Sequence, residues 1–264
     1  MQNVKNEHTD KTDVSYLQTV SRALKVLNLF ETETALSRAA ISSRLGVSKT
    51  IAYRLAHTLV LDGFLIQDSA TKQYMLGDQV LLLGFCAVQR QAVKRIAHDL
   101  IWDFHERTKF STYITIPCAN QSLCVDRVVS DNTGRLSTIF VGGVYPLYRG
   151  ASNRVLLAFQ TERFREDYLR DLDIPEDEKQ QLQQDLEKAR SRGYDCTHNT
   201  WTEGLFAVGF PIYDSSNQLV GGLSMGVVDD SKSFEVLERC ISQGHLLAVE
   251  INNRMGSNYY SQLK

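Results

Sequence analysis

Within GVSKTIAYRLAHTLVLDGFL, Gly46 to Leu65, the residues Ser48, Lys49, Thr50, Tyr53 and Arg54 crowd hydroxyls and cations onto the start of an amphipathic segment. That chemistry suits nucleic acid. Hydroxyls and the free N–H groups of a helix N-terminus hold a phosphate, and the helix dipole favours the anion. Lysine and arginine reach phosphates, and arginine grips a guanine edge through two hydrogen bonds. At 100° per residue Thr50, Tyr53, Arg54 and His57 fall on one side of a helix. Ile51, Ala52, Leu55 and Leu59 fall on the other, and only Leu61 joins the polar group. An ordinary solvated helix face would look the same locally, so the neighbouring elements must decide.

Other reactive residues do not assemble into catalytic patterns. Ser130 to Asn132 spells SDN, found in serine β-lactamases, but the S-x-x-K and K-T-G partners are missing. His98 and His105 share a helical segment without the H-E-x-x-H arrangement of a zinc hydrolase. The five cysteines (Cys86, Cys118, Cys124, Cys196, Cys240) are scattered and form no C-x-x-C pair, which points to reduced thiols and no metal. The glycines of GGLSMG follow no dinucleotide fingerprint and suit close packing or pocket lining.

The elements around the basic segment supply the context. Leu17, Val20, Leu24, Leu27 and Phe30 recur at spacings of three and four, which predicts a first helix with these residues inward. Ser37 to Leu45 predicts a second, with Ser37 as N-cap and Gly46 as its stop. A third runs from Ser48 to about Asp62, and FLIQD and KQYML around SATK predict a hairpin. Helix, helix, turn, helix, hairpin is the order of a winged helix-turn-helix. Its recognition helix enters the major groove by its N-terminal end. Thr71, Lys72 and Gln73 sit where a wing would meet the DNA.

Beyond it, GDQVLLLGFCAVQRQAVKRIAHDLIWDFHERTK predicts a linker helix and, after a break near Arg90 to Gln91, a second helix. Short strands follow in TYITIPC, SLCVDRVV and LSTIFV. Next come a helix at about Ser152 to Phe159, an acidic helical region over Thr161 to Arg192, strands in FAVGFPIYD and LVGGLSMGVV, and a last helix from Phe234 to about Arg254. The class is α+β with an antiparallel sheet and flanking helices. The expected domains are a disordered tail (1–14), the winged helix-turn-helix (15–76), the linker helix (77–91) and the body (92–264). Net charge is −2, yet residues 15–76 hold seven Lys/Arg against four acids, a basic segment of +3 against −5 for the remainder of the chain. No apolar run spans a membrane and the N-terminal residues lack an apolar signal region, so a cytoplasmic location is expected.

From about Tyr16 to Met255 the chain resembles the IclR family of bacterial transcriptional regulators. The resemblance is carried by VSRALKVLNLF, SKTIAYRLAHTLVLDGFL, YMLGDQVLLLG, GGVYPLYRGASNRVLLAF, RGYDCTHNTWTEGLFAVGFPIYD and LVGGLSMG, in that order. It implies a winged helix-turn-helix head, a linker helix and a GAF-like body that binds a small effector, with no cofactor. It also implies dimers or tetramers on palindromic operator DNA that control a catabolic operon, repression ahead of activation. The DNA-contacting set is then Ser37, Ser48, Lys49, Thr50, Tyr53, Arg54, Lys72 and Gln73. The effector set implied is Leu147, Arg149, Gly150, Ala151, Ser152, Thr197, Leu205, Ala207, Ser224 and Gly226, with an organic or aromatic carboxylate as ligand. Many relatives read like PLHASGxGKALLA where this chain has Tyr148, Arg149 and Asn153, and an acidic residue frequent near Thr197 is absent. Two readings of Arg149 stay open: with Trp201 it adapts the pocket to an anion, or it is a solvated loop residue. The rival from another class is an enzyme or metabolite-binding module that uses the head only to oligomerise.

Overall fold

The computed structural model describes residues 16–89, 92–130, 138–201, 203–228 and 233–262. The expected tail over 1–14 and the break at Arg90 to Gln91 lie outside them. Contacts divide the chain into two compact units, Met1–Ala87 and Val88–Lys264, and the division falls within the segment assigned to the linker.

The first unit holds α1 (Gln18–Asn28), a 3-10 turn (Leu29–Glu31), α2 (Arg38–Leu45), α3 (Lys49–Leu61), β1 (Leu65–Gln67) and β2 (Tyr74–Leu76), then the start of α4 (Asp78–Gln89). Polar caps set the helix boundaries. Ser37 Oγ accepts the Ala40 N–H at 3.2 Å and Ser48 Oγ accepts the Ile51 N–H at 3.3 Å. Each replaces a hydrogen bond the first turn cannot make internally, a contribution of about 1 kcal/mol. Gly46 ends α2 in the left-handed region at φ 62°, a backbone conformation that other residues adopt only with strain. β1 and β2 pair antiparallel, and Leu36 exchanges backbone hydrogen bonds with Tyr74, tying the hairpin to the segment before α2.

Two packing expectations in this unit fail. The core takes Val26 of α1 and Phe30 of the 3-10 turn, with Ala23 and Leu27 partly buried, while Leu17, Val20 and Leu24 are 70%, 52% and 56% exposed. Two apolar stripes run along α1, roughly 100° apart, and the sequence periodicity followed the wrong one at its N-terminal end. On α3 the buried side is Ala52, Leu55, Ala56 and Leu59; Ile51, expected there, is 37% exposed because it lies roughly 90° round the helix from the centre of that stripe.

The second unit is a six-stranded antiparallel sheet in the order β5-β4-β3-β8-β7-β6. Its elements are α5 (Ala92–Thr108), β3 (Ser111–Cys118), β4 (Gln121–Val128), β5 (Val144–Pro146), α6 (Ala151–Ala158), α7 (Glu162–Asp171) and α8 (Glu176–Arg192). These are followed by β6 (Asp195–His198), β7 (Leu205–Tyr213), β8 (Leu219–Val228), α9 (Ser233–Arg254) and α10 (Tyr259–Gln262). Alternation along the strands gives the sheet two chemically different faces. Ile114, Ile116, Val208, Phe210, Ile212, Leu223 and Met225 join the core formed with α5 and α9. The intervening positions, Tyr113, Thr115, Ala207, Gly209, Gly222, Ser224 and Gly226, are mostly small or polar and turn to the face that carries α6.

Here too the sequence misled in places. Of LSTIFV, the described residues 138–141 form no strand, and β5 lies further on. The acidic region is two helices, interrupted between Asp171 and Glu176, where Pro175 precedes the first turn of α8. β6, β5 and α10 are too short to leave a periodic signal.

Candidate functional site

On the first unit, Ser48, Lys49, Thr50, Tyr53 and Arg54 are exposed at the N-terminal end of α3. Tyr53 is braced. Its ring stacks on His57 with centroids 5.5 Å apart, and the Arg38 guanidinium lies 5.8 Å over it. Ser37 and Ser48 are helix caps first, each with its oxygen committed and its hydroxyl proton still free to donate. Lys72 and Gln73 are exposed in the β1–β2 turn. Asp68 shapes that turn by accepting the N–H groups of Ala70 and Thr71 and the Thr71 hydroxyl. These bonds, led by the Thr71 N–H, hold the Asp68 carboxyl below its usual range. They also commit Thr71, leaving Lys72, at φ 60°, as the projecting cation of the turn.

On the second unit, α6 lies unusually close to the sheet. A Cβ on Gly209 would sit 2.4 Å from the Ala151 carbonyl oxygen, and one on Gly222 would sit 2.7 Å from that of Ser152. Both positions therefore need glycine. The close approach sets the N-terminus of α6 into a pocket. The N–H groups of Ala151, Ser152 and Asn153 precede the first intrahelical bond, from Arg154 N–H to Gly150 O at 2.9 Å. Positive ends of guanidinium groups balance the opposite terminus: Arg165 and Arg190 both donate to the Ala158 carbonyl.

Eight of the ten residues proposed for the effector set line this pocket: Gly150, Ala151, Ser152, Thr197, Leu205, Ala207, Ser224 and Gly226. Leu147 does not. It is buried in the cluster between α6 and α8, where its side chain fills core. Arg149 does not either. Its Nε donates to the Thr200 carbonyl at 2.8 Å, and it lines a neighbouring cleft with Arg154, Glu178 and Asp185. Tyr113, Ile139, Asn153, Thr200, Phe206 and Met225 line the pocket without having been proposed, and Trp201 takes a place in its wall. Tyr113 was legible as the partner of Ser224 once strand register was known; Ile139 left no signal, lying in a loop.

Two family models match the chain: the IclR helix-turn-helix domain over residues 19–69 and the bacterial transcriptional regulator IclR C-terminal domain over residues 85–236. The chain belongs to the IclR family. Among its relatives, the HTH-type transcriptional regulator KipR of Bacillus subtilis is 24% identical, the match covering 90% of this chain and 97% of the relative. An IclR-family regulator from Brucella abortus has the same fold, with a TM-score of 0.74 at 22% identity, covering 91% of this chain and 95% of that one. An IclR homolog from Microbacterium hydrocarbonoxydans, solved in complex with 4-hydroxybenzoate, superposes with a TM-score of 0.69 at 18% identity and covers 89% and 99% of the two chains.

This IclR-family chain is thus a ligand-responsive transcriptional regulator and not an enzyme. Its residues are consistent with that. Burial pushes the Cys124 and Cys240 thiols up to about 12 and Cys196 to about 11, which leaves them unreactive. His98 Nδ1 contacts Asp126 at 2.8 Å and His105 Nδ1 contacts the Phe110 carbonyl, so both serve local structure. Among the described residues no group of three His, Cys, Asp or Glu side chains is placed to hold a metal, and no helix is long and apolar enough to cross a membrane. One buried charge cluster flanks the pocket. Arg154 of α6 approaches Asp195 of β6 at 2.9 Å and Asp185 of α8 at 3.3 Å. The Arg154 Nε and Asp195 Oδ2 atoms are close enough to attract but are not aligned as a hydrogen bond, and neither has another bonding partner. Burial therefore outweighs the Arg154 and Arg192 guanidiniums and lifts the Asp195 carboxyl to about 6.

Proposed function

We propose that this IclR-family regulator binds a palindromic operator as a dimer or a dimer of dimers, and that its effector is a small organic or aromatic carboxylate seated at the start of α6. On this reading it represses a catabolic operon, and the effector shifts the population between DNA-competent and incompetent states. The observation that carries the effector assignment is the α6 N-terminus opening into the pocket. Backbone N–H groups and the helix dipole there favour an anion. The Microbacterium relative's 4-hydroxybenzoate is a carboxylate of the expected kind.

The DNA contacts are assigned to Ser37, Ser48, Lys49, Thr50, Tyr53 and Arg54 in the groove and to Lys72 and Gln73 at the wing. Leu17, Val20 and Leu24 form an exposed apolar stripe on α1, and a second copy is its proposed cover. The two-fold symmetry of such a pair would match a palindrome. A mobility shift with the DNA upstream of its own gene, run with and without a carboxylate panel, tests the proposal. A site-specific shift altered by one panel member is expected; a shift indifferent to every carboxylate would remove the effector assignment.

A further inference from the structure

We infer that Trp201 is the wall that decides which effectors fit the pocket, that Arg149 acts only by fixing this indole, and that the site takes a compact planar ligand bearing at most one charge. The inference rests on the reading of this pocket as the effector site and specifies its ligand.

Three groups hold the Trp201 side chain. Its Nε1–H donates to Thr138 Oγ1 at 3.0 Å, and Tyr145 meets its ring edge-on with centroids 5.1 Å apart at 88°. The Arg149 guanidinium lies 5.8 Å from the ring centroid while its Nε–H holds the adjacent Thr200 carbonyl. Arg149 thus spends its charge on the indole face and on Thr200, and its side chain opens on the neighbouring cleft instead of the pocket. No charged side chain lines the pocket among the described residues. Its walls include the side chains of Tyr113, Ile139, Trp201 and Leu205.

Its polar side chains are neutral. Ser152, Thr197 and Ser224 are 4%, 5% and 5% exposed and line the pocket, and their hydroxyls make no hydrogen bond to the described residues. Together with the α6 N–H groups they can satisfy one carboxylate or amide and one further polar atom. The described residues place no cation to pair with a second negative charge, which would be desolvated there, and a chain of hydroxyls would lose more water bonds than the walls replace. A flat ring, by contrast, matches the aromatic walls.

Titration calorimetry on the full chain tests this with four probes: benzoate, the neutral isostere benzamide, the dianion phthalate, and the polyhydroxylated gluconate. Benzoate and benzamide are expected to bind, with phthalate and gluconate weaker by about tenfold or more. Arg149→Ala should weaken benzoate and benzamide by one common factor, about two- to fivefold, the size of a lost exposed cation–π contact. Trp201→Ala should narrow the preference for the planar probes, and Trp201→Phe should restore part of it. The chain has two tryptophans, so in a Trp102→Phe background the emission reports Trp201 alone. Arg149→Ala should red-shift that emission and Arg149→Lys should partly reverse the shift, which a merely destabilised protein would not do.

A loss confined to benzoate in Arg149→Ala would mean the guanidinium meets the carboxylate, and would overturn the inference. So would phthalate binding as tightly as benzoate, unchanged selectivity in Trp201→Ala, or no binding of any planar probe to the wild type. Ala207→Trp, which fills the pocket, separates this failure from that of the underlying reading. If probes bind Ala207→Trp unchanged while its circular dichroism is native, the pocket is not the effector site and both fall.

Discussion

Ser48 serves twice at the start of α3. Its oxygen accepts the Ile51 N–H, and its hydroxyl proton stays available to a phosphate. Cap serines are legible in sequence because the cap, the apolar repeat and the glycine stop fall at fixed offsets; Ser37 and Gly46 stand where those offsets put them, and Ser48, read as the first residue of the third helix, is its cap. Arg54 is different, since its type and exposure suit both base and phosphate contact. Arg54→Ala should lower operator affinity by about 1–3 kcal/mol while sparing random DNA, measured by fluorescence anisotropy at fixed salt; an equal loss on both would assign it to phosphate. Arg149 was not legible. Sequence left it open between a pocket residue and a solvated loop residue; it is exposed and outside the pocket, and which way its long side chain turns depends on Thr200 and Trp201, some fifty positions away.

At the scale of elements, the seating of α6 on the sheet makes the pocket. Gly209→Ala puts a methyl against the Ala151 backbone, which has no flexible end to yield. It should cost about 1–3 kcal/mol of stability in denaturant melts, with carboxylate binding lost, while the head still binds DNA. The buried Asp195 gives the same region a pH dependence. Its carboxyl is lifted to about 6 from an ordinary 3.8, so the folded chain holds a proton that the unfolded chain releases. The stability this proton contributes is complete below about pH 3.8 and lost as pH rises through about 6. Relative to Asp195→Asn, the wild type should therefore lose about 1–2 kcal/mol between pH 5 and 8 in paired melts. A constant difference would mean that the guanidiniums keep Asp195 ionised throughout. The pocket strands were legible where alternation ran for eight or more residues, as in β3, β7 and β8. β6 was not, because four residues beginning with a buried aspartate carry no apolar alternation.

The whole molecule divides into a basic head and an acidic body, and that asymmetry was visible in sequence although the net charge hid it. What sequence could not show is that α1 has two apolar stripes, since a periodic pattern reveals an apolar face but not what covers it. Replacing Leu17, Val20 and Leu24 with glutamate should leave the head folded, because none of the three is in its core, and should dissociate the proposed dimer in analytical ultracentrifugation. The most direct test of the regulator is the binding of the intact protein to the DNA upstream of its own gene as salt is varied. Affinity for one site should exceed that for random sequence by at least about a thousandfold, fall linearly on a log–log salt plot, and change with effector. Equal affinity for all sequences, or no shift in any effector state, would contradict it.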